Sequence, residues 1–276
     1  MAAVTVTVEE RGGAGRIATL RVDNPRKLNI LDPALIEELS RQVRALGRDP
    51  HLRALVLRGA GDKAFIGGAD IRAMVGLNAT SARAFITSLH EACDSLRRLP
   101  VPVIARIEGY ALGAGLEIAA SCDLRIAGVG AKFGMPEVKV GIPSVIEAAL
   151  LPQLIGWGRT RRLLLTGEMI NAATAERWGL VEWCVSEHEL DAALAAALDA
   201  ILACGAEAIR LQKALIQEWE ALAPAAAIDR GIESFARAFE TDEPKRMMRT
   251  FLVAAAARQR QQGGGPGGDG VEPAPD

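Results

Sequence analysis

The chain has 276 residues, of which 50% are apolar and 24% charged, ordinary globular usage that excludes a collagenous, supercharged or wholly disordered protein. At about 150 residues per domain it makes roughly two domains, or one large α/β unit with a smaller appendage. Lys and Arg number 32 against 34 Asp and Glu, for a net charge of -2, and aromatics are 4%, so neither a positive field nor stacking platforms point to nucleic acid.

The first 60 residues read strand, strand, helix, strand. Val4, Val6 and Val8 alternate with Thr and Glu, which is a strand pattern and not a secretion signal, so a cytoplasmic protein is expected. A second strand covers Arg16 to Val22. Asp32 and Pro33 open a helix whose Leu35, Leu39, Val43 and Leu46 recur at steps of three and four, and Ala54 to Leu57 is the next strand. A similar unit follows: a helix over Ser81 to Leu99, an apolar strand Val101 to Ile107, a glycine-rich turn, a helix from about Gly113 to Ser121 and a strand Leu124 to Ala127. This alternation predicts α/β sheets covered by helices, without separating a doubly wound sheet from a coil of repeated ββα turns.

From Ala192 the chain turns almost wholly helical, with apolar periodicity over Ala206–Leu222, Ala225–Phe239 and Pro244–Ala257, which marks a separate module. Gln259 to Asp276 holds six glycines and three prolines and is expected to be a disordered tail. No stretch approaches about 20 uninterrupted apolar residues, so no membrane span is predicted. Cys93, Cys122, Cys184 and Cys204 contain no CxxC pair and read as reduced core thiols. His51, His90 and His188 stand apart from one another and from cysteine, so no metal site is expected.

Two glycine turns are candidates for chemistry. In Phe65-Ile66-Gly67-Gly68-Ala69-Asp70-Ile71, Asp70 can cap a helix and the Ala69 amide can point outward as an anion donor; a tight turn needing positive φ accounts for the same residues. Gly109-Tyr110-Ala111-Leu112-Gly113-Ala114-Gly115-Leu116-Glu117 again leads from a strand into a helix, with Ala114 the natural donor. A pair of converging amides is what a developing oxyanion requires. The glycine spacing GxxxGxG is not the dinucleotide fingerprint, and no GK[ST] phosphate loop is present. Alone, Glu117 reads as a helix-dipole partner and Glu137 as a solvated loop residue.

Taken together these segments resemble the crotonase family, also called the enoyl-CoA hydratase/isomerase family, from about Val6 to Phe251. The likeness rests on Asn24-Pro25 with Leu28-Asn29, Lys63-Ala64-Phe65 to Ile71, Gly109 to Glu117 with Ser121-Cys122-Asp123, Phe133-Gly134 with Pro136-Glu137, Leu165-Thr166-Gly167-Glu168, and Ala175 with Gly179-Leu180-Val181. The resemblance implies a crotonase-like spiral of repeated ββα units over residues 1–191 that carries the acyl-CoA site. Residues 192–258 would then be a helical trimerisation region, giving a homotrimer or a dimer of trimers.

It further implies that an acyl-CoA thioester oxygen lies between the backbone amides of Ala69 and Ala114. Hydratases of the family carry two glutamates beside the acyl group, and both positions are glutamate here: Glu137 to protonate Cα and Glu117 to activate water, the two titrating as a coupled pair. The implied activity is syn addition of water to a 2-enoyl-CoA to give a 3-hydroxyacyl-CoA, with no cofactor beyond the coenzyme A of the substrate. Arg26 and Lys27 are the expected phosphate or adenine contacts, with Leu28, Ala64, Gly67, Asp70 and Ile71 completing the coenzyme A site. A Δ3-Δ2 enoyl-CoA isomerase, which works with one carboxylate at the Glu137 position, is the nearest alternative. An RNA-binding or scaffold relative is the alternative from another class.

The chain departs from the family's glycine-rich run at Gly141-Ile142-Pro143-Ser144-Val145-Ile146-Glu147-Ala148. Ser144 stands for a glycine near the water. With Glu147 it fits the S-x-x-E box that opens an apolar helix, and a reshaped acyl pocket is the other reading. Ile71 to Ala84 and Ser144 to Ile155 are the expected pocket walls. A lysine that some members offer to coenzyme A near the C-terminus has no counterpart at Ala254.

Overall fold

A computed structural model describes residues 2–263. Strands β1 (Ala3–Glu10) and β2 (Arg16–Asp23) lead through helix α1 (Pro33–Leu46) into three successive turns of one spiral. The first holds β3 (Leu52–Gly59), β4 (Ala64–Ile66), α2 (Ile71–Met74) and α3 (Ala79–Arg98); the second holds β5 (Val103–Ile107), β6 (Tyr110–Leu112) and α4 (Ala114–Ala120). The third holds β7 (Leu124–Gly128), β8 (Lys132–Gly134), α5 (Leu151–Ile155) and α6 (Trp157–Thr166), followed by β9 (Met169–Asn171), α7 (Ala172–Trp178) and β10 (Trp183–Val185). Helices α8 (Leu190–Leu202), α9 (Ala206–Trp219), α10 (Pro224–Ala238) and α11 (Glu243–Gly263) close the described chain.

Each turn adds one strand to a large sheet and one to a small sheet. The large sheet runs β1-β2-β3-β5-β7-β10 and the small one β4-β6-β8-β9. Because strand order follows chain order with no reversal, the doubly wound alternative is excluded: such a sheet changes direction at a switch point. β2, β3, β5, β7 and β10 are parallel neighbours, as are β4, β6 and β8.

The two-residue period of the strands divides the core. Leu55 and Leu57 of β3 and Val103, Ala105 and Ile107 of β5 face the main core with α1, α3 and α4. Ala54, Val56 and Ile104 point to the other face, against Leu190, Leu198 and Ile201 of α8. Both faces of the large sheet are therefore dry, which is why its strands read as continuous apolar runs. The cap at Asp32 forms as its sequence predicts, Leu35 N–H donating to Asp32 Oδ1 at 2.9 Å.

Asn29 ties the early loop to the first turn. It is fully buried, accepts from Asn24 N–H at 2.9 Å, and donates from Nδ2 to the carbonyls of Ala60 (3.0 Å) and Ala64 (2.7 Å). Its φ of 54° is a left-handed conformation that asparagine tolerates.

Two expectations are corrected. Cys93 and Cys122 are buried, but Cys184 is half-buried and Cys204 exposed, so only two of the four are core thiols. Residues 259–263 continue helix α11, which removes them from the expected disordered tail; residues 264–276 lie outside the described residues. Among the described residues no single helix is long and apolar enough to cross a membrane, although α8 with its preceding turn and α9 pass that test together across a 103° bend.

Replacing Asn29 with alanine leaves one donor and two acceptors buried without partners. We expect Asn29→Ala to lower stability by about 1–3 kcal/mol, read as a reduced urea midpoint at unchanged slope.

Candidate active site

The site grows from the small sheet. β4 and β6 are parallel neighbours with Ile66 beside Ala111, so the glycine turns that end them abut. In the first turn Gly67 N–H donates to Leu28 O at 2.8 Å and Asp70 N–H to Leu31 O at 2.8 Å, while Gly68 O accepts from Leu31 N–H at 2.9 Å. In the second, Gly113 N–H donates to Gly134 O at 2.9 Å and Gly113 O accepts from the amides of Leu116 and Glu117. Among the described residues the amides of Ala69 and Ala114 have no acceptor.

Gly68 (φ 118°) and Gly113 (φ 53°) both sit where a side chain is strained. A Cβ on Gly113 would also lie 2.5 Å from Glu137 Oε1, so this glycine keeps room for the carboxyl.

Ala69 and Ala114 both line a cavity of about 290 Å³ that is also lined by Glu117 and Glu137. Most of its remaining wall is apolar, chiefly Phe85, Ile86 and Leu89 of α3 with Leu112, Val140 and Ile142, and the cationic Lys139 also lines it. Glu117, in the first turn of α4, is 4% exposed and its Oε1 accepts from Ala148 N–H at 3.3 Å. Burial, and next the charge of Glu137, raise its pKa from 4.5 to about 8. Glu137 lies half-buried in the 3-10 turn Pro136–Val140, and Ser144 donates its hydroxyl to Glu137 Oε2 at 2.8 Å.

The expected capping box does not form. The 3-10 turn Ile146–Leu150 starts after Val145 with no side-chain cap, because Ser144 is turned to Glu137 and Glu147 is turned inward. The reshaped-pocket reading of this departure is the one the geometry supports.

Of the residues singled out from sequence, Gly67, Ala69, Ile71, Ala114, Glu117 and Glu137 line this one cavity. Ser144 reaches it through Glu137. The others lie off it. Arg26 and Lys27 are exposed on the 3-10 turn Pro25–Lys27, and Leu28 follows at φ 55°. Ala64 is buried in β4, and Asp70 Oδ1 accepts from Arg72 N–H at 3.0 Å to open α2. The expected wall segments contribute only Ile71, Met74 and Val145. Phe85, Ile86 and Leu89 were missed: their spacing marks a helix face but not which neighbour it meets.

A larger recess of about 380 Å³ lies between α9 and β7, but its charges are already paired, Lys213 with Asp123, Arg97 with Glu220 and Arg125 with Glu182. It is a seam between helix and core.

The family model for enoyl-CoA hydratase/isomerase matches residues 12–259. A crotonyl-CoA hydratase of Syntrophomonas wolfei is 37% identical over 238 residues, 86% of this chain and 92% of that one. A short-chain-enoyl-CoA hydratase of Clostridium acetobutylicum is 34% identical over 239 residues, again 86% and 92%. The crystal structure of an enoyl-CoA hydratase from Bacillus anthracis superposes with a TM-score of 0.84 at 29% identity, covering 90% of this chain and 96% of that one. The fold and the matched length define a crotonase-type spiral. The chain belongs to the enoyl-CoA hydratase/isomerase family.

A carboxyl whose folded pKa is raised keeps its proton while the unfolded chain loses it, so between pH 4.5 and about 8 stability falls as pH rises. Glu117→Gln removes that dependence. We expect this variant to melt higher than the parent at pH 8, by at least about 4 °C, with the gap closing toward pH 5.

Proposed function

We propose that the cavity receives the acyl thioester of a 2-enoyl-CoA and adds water across its double bond, giving a 3-hydroxyacyl-CoA. The chain is an enoyl-CoA hydratase, a hydro-lyase. The observation that carries the mechanism is the meeting of two acceptor-less amides and two carboxyls on one largely apolar cavity.

The amides of Ala69 and Ala114 donate to the thioester oxygen and stabilise the enolate that forms when water attacks Cβ. Glu117 takes a proton from the attacking water and Glu137 gives one to Cα. One proton therefore enters and one leaves, and the pair holds a single proton throughout. The step starts with it on Glu137 and ends with it on Glu117. Burial places it on Glu117 in the empty site, so the resting distribution is the one hydration leaves behind. Before the next hydration the proton passes back from Glu117 to Glu137. Ser144 holds Glu137 in place from its far oxygen.

In this reading Gly67 and Ile71, which line the cavity, and Leu28, which accepts from the Gly67 amide, meet the thioester arm, Ala64 and Asp70 support that turn, and the exposed Arg26 and Lys27 offer charge to the phosphates of coenzyme A. No further cofactor takes part. A Δ3-Δ2 isomerase needs only one carboxylate, and Glu117 beside Glu137 favours hydration. An overall charge of -2 disfavours an RNA-binding relative. The exposed apolar side chains Ile228, Ile232 and Phe235 of α10 and Phe251 of α11 support assembly as a homotrimer or a dimer of trimers, through the helices that follow residue 191. A cytoplasmic location agrees with this chemistry.

Glu117→Gln and Glu137→Gln should each lower hydration of crotonyl-CoA by about 10² to 10⁴ in an absorbance assay, with acyl-CoA binding nearly intact. Full turnover in either variant contradicts the assignment. Because activity needs the pair's one proton, the parent rate should fall as pH rises beyond about 8.

A further inference from the structure

A third carboxyl stands behind the pair. Glu147 is 6% exposed, on a turn packed between α3 and α4. Its Oε1 lies 2.7 Å from His90 Nδ1, a ring nitrogen that donates to a carboxylate, and its Oε2 is buried with no partner. An isolated buried carboxylate oxygen is expensive, so a position that keeps one calls for a reason beyond packing. The backbone supplies a second observation: Ile146, the residue before it, has φ 40°, strained for a β-branched side chain. The residue after it, Ala148, shares its amide between Val145 O at 2.9 Å, which closes the turn, and Glu117 Oε1 at 3.3 Å. Glu147 therefore sits between a strained residue and the hydrogen bond that orients Glu117. His90 is half-exposed on α3 and holds Glu147 Oε1, while the buried Cys93 thiol, one turn further along α3, is a second polar neighbour of this carboxyl.

We propose that Glu147 and His90 form a positioning pair for Glu117: their bond pins the 145–148 turn to α3, keeps the Ala148 amide on the Glu117 carboxyl, and sets a third negative group behind the proton-sharing pair. This rests on the hydratase reading of the same cavity. The groups that face Glu147 are His90 and Cys93 from α3 and Glu117 from α4, with Glu137 beyond. Cys93 faces it as a neutral thiol, since burial and then the charges of Glu147 and Glu117 push its pKa well above the ordinary range. The charge of Glu147, after burial and the charge of Glu137, also favours the protonated form of Glu117. The pair thus acts on Glu117 by geometry and by field, and it touches no substrate, since neither residue lines the cavity.

The test uses the full chain and two readouts. The first is the titration of Glu117, followed by the carboxyl carbon signal in the empty enzyme; the second is crotonyl-CoA hydration against pH. Glu147→Gln keeps shape and an acceptor for His90 but loses charge. The Glu117 midpoint should drop by about one pH unit, the alkaline limb of kcat should move down with it, and KM should hold. His90→Ala releases the turn and should lower kcat by roughly ten- to a hundred-fold at unchanged KM, whereas His90→Gln, which retains a donor, should restore most of it. His90 is half-exposed, so these variants fold even if Glu147→Gln does not. A Glu117 midpoint that stays put in Glu147→Gln overturns the proposal, and so does an equal kcat in His90→Ala and the parent. Failure of the parent to hydrate any 2-enoyl-CoA overturns the hydratase reading instead, and the carboxyl titration still decides whether Glu147 and His90 act on Glu117.

Discussion

Two main-chain N–H groups that have no acceptor among the described residues, those of Ala69 and Ala114, are the constraint on which the proposed site depends. A backbone amide that gives up its hydrogen bond costs free energy, so the surrounding chain must hold it in place. Here the neighbours do the holding: Gly67, Asp70 and Gly113 all spend their own amides on carbonyls of adjacent segments. The small sheet brings the two turns together because β4 and β6 are adjacent and parallel, and the spiral makes them adjacent because each turn lays its short strand beside the previous one. Remove the spiral and the two donors would face different directions.

The second element is the burial of Glu117 at the start of α4. A carboxyl in an apolar wall favours its neutral form, and Glu137 nearby strengthens that preference, so the pair carries one proton at neutral pH rather than none. A hydratase must both take and give a proton within one turnover, and a pair that holds one proton is suited to both. Ser144 then has a plain part: its hydroxyl donates to Glu137 Oε2 and fixes that carboxyl. Ala69, Ala114 and the two glutamates line one cavity but owe their places to different devices, backbone conformation for the amides and side-chain burial for Glu117.

Much of this was legible in sequence, for physical reasons. Asp32, the alternating strands and the helical stretch after residue 191 announce themselves through local periodicity, which tertiary contacts do not alter. The two glycine turns were visible as turns; that they abut depends on strand order, which periodicity cannot supply. Phe85, Ile86 and Leu89 line the cavity because α3 packs beside α4 and the Ile146–Leu150 turn, a fact of topology. Ser144 and Glu147 misled as an S-x-x-E box: each found a stronger partner in space, Glu137 and His90, than the local amides that a cap requires. A glutamate inside the apolar run from Val145 to Leu151 was the available hint that it turns inward.

The most direct test is the vibrational frequency of the thioester carbonyl when a carbon-13-labelled crotonyl-CoA is bound to the Glu117→Gln protein, which turns it over too slowly to deplete it during the measurement. Two convergent amide donors should polarise that bond and move its stretch well below the value in free solution. A frequency unchanged on binding would mean that the amides of Ala69 and Ala114 do not grip the oxygen.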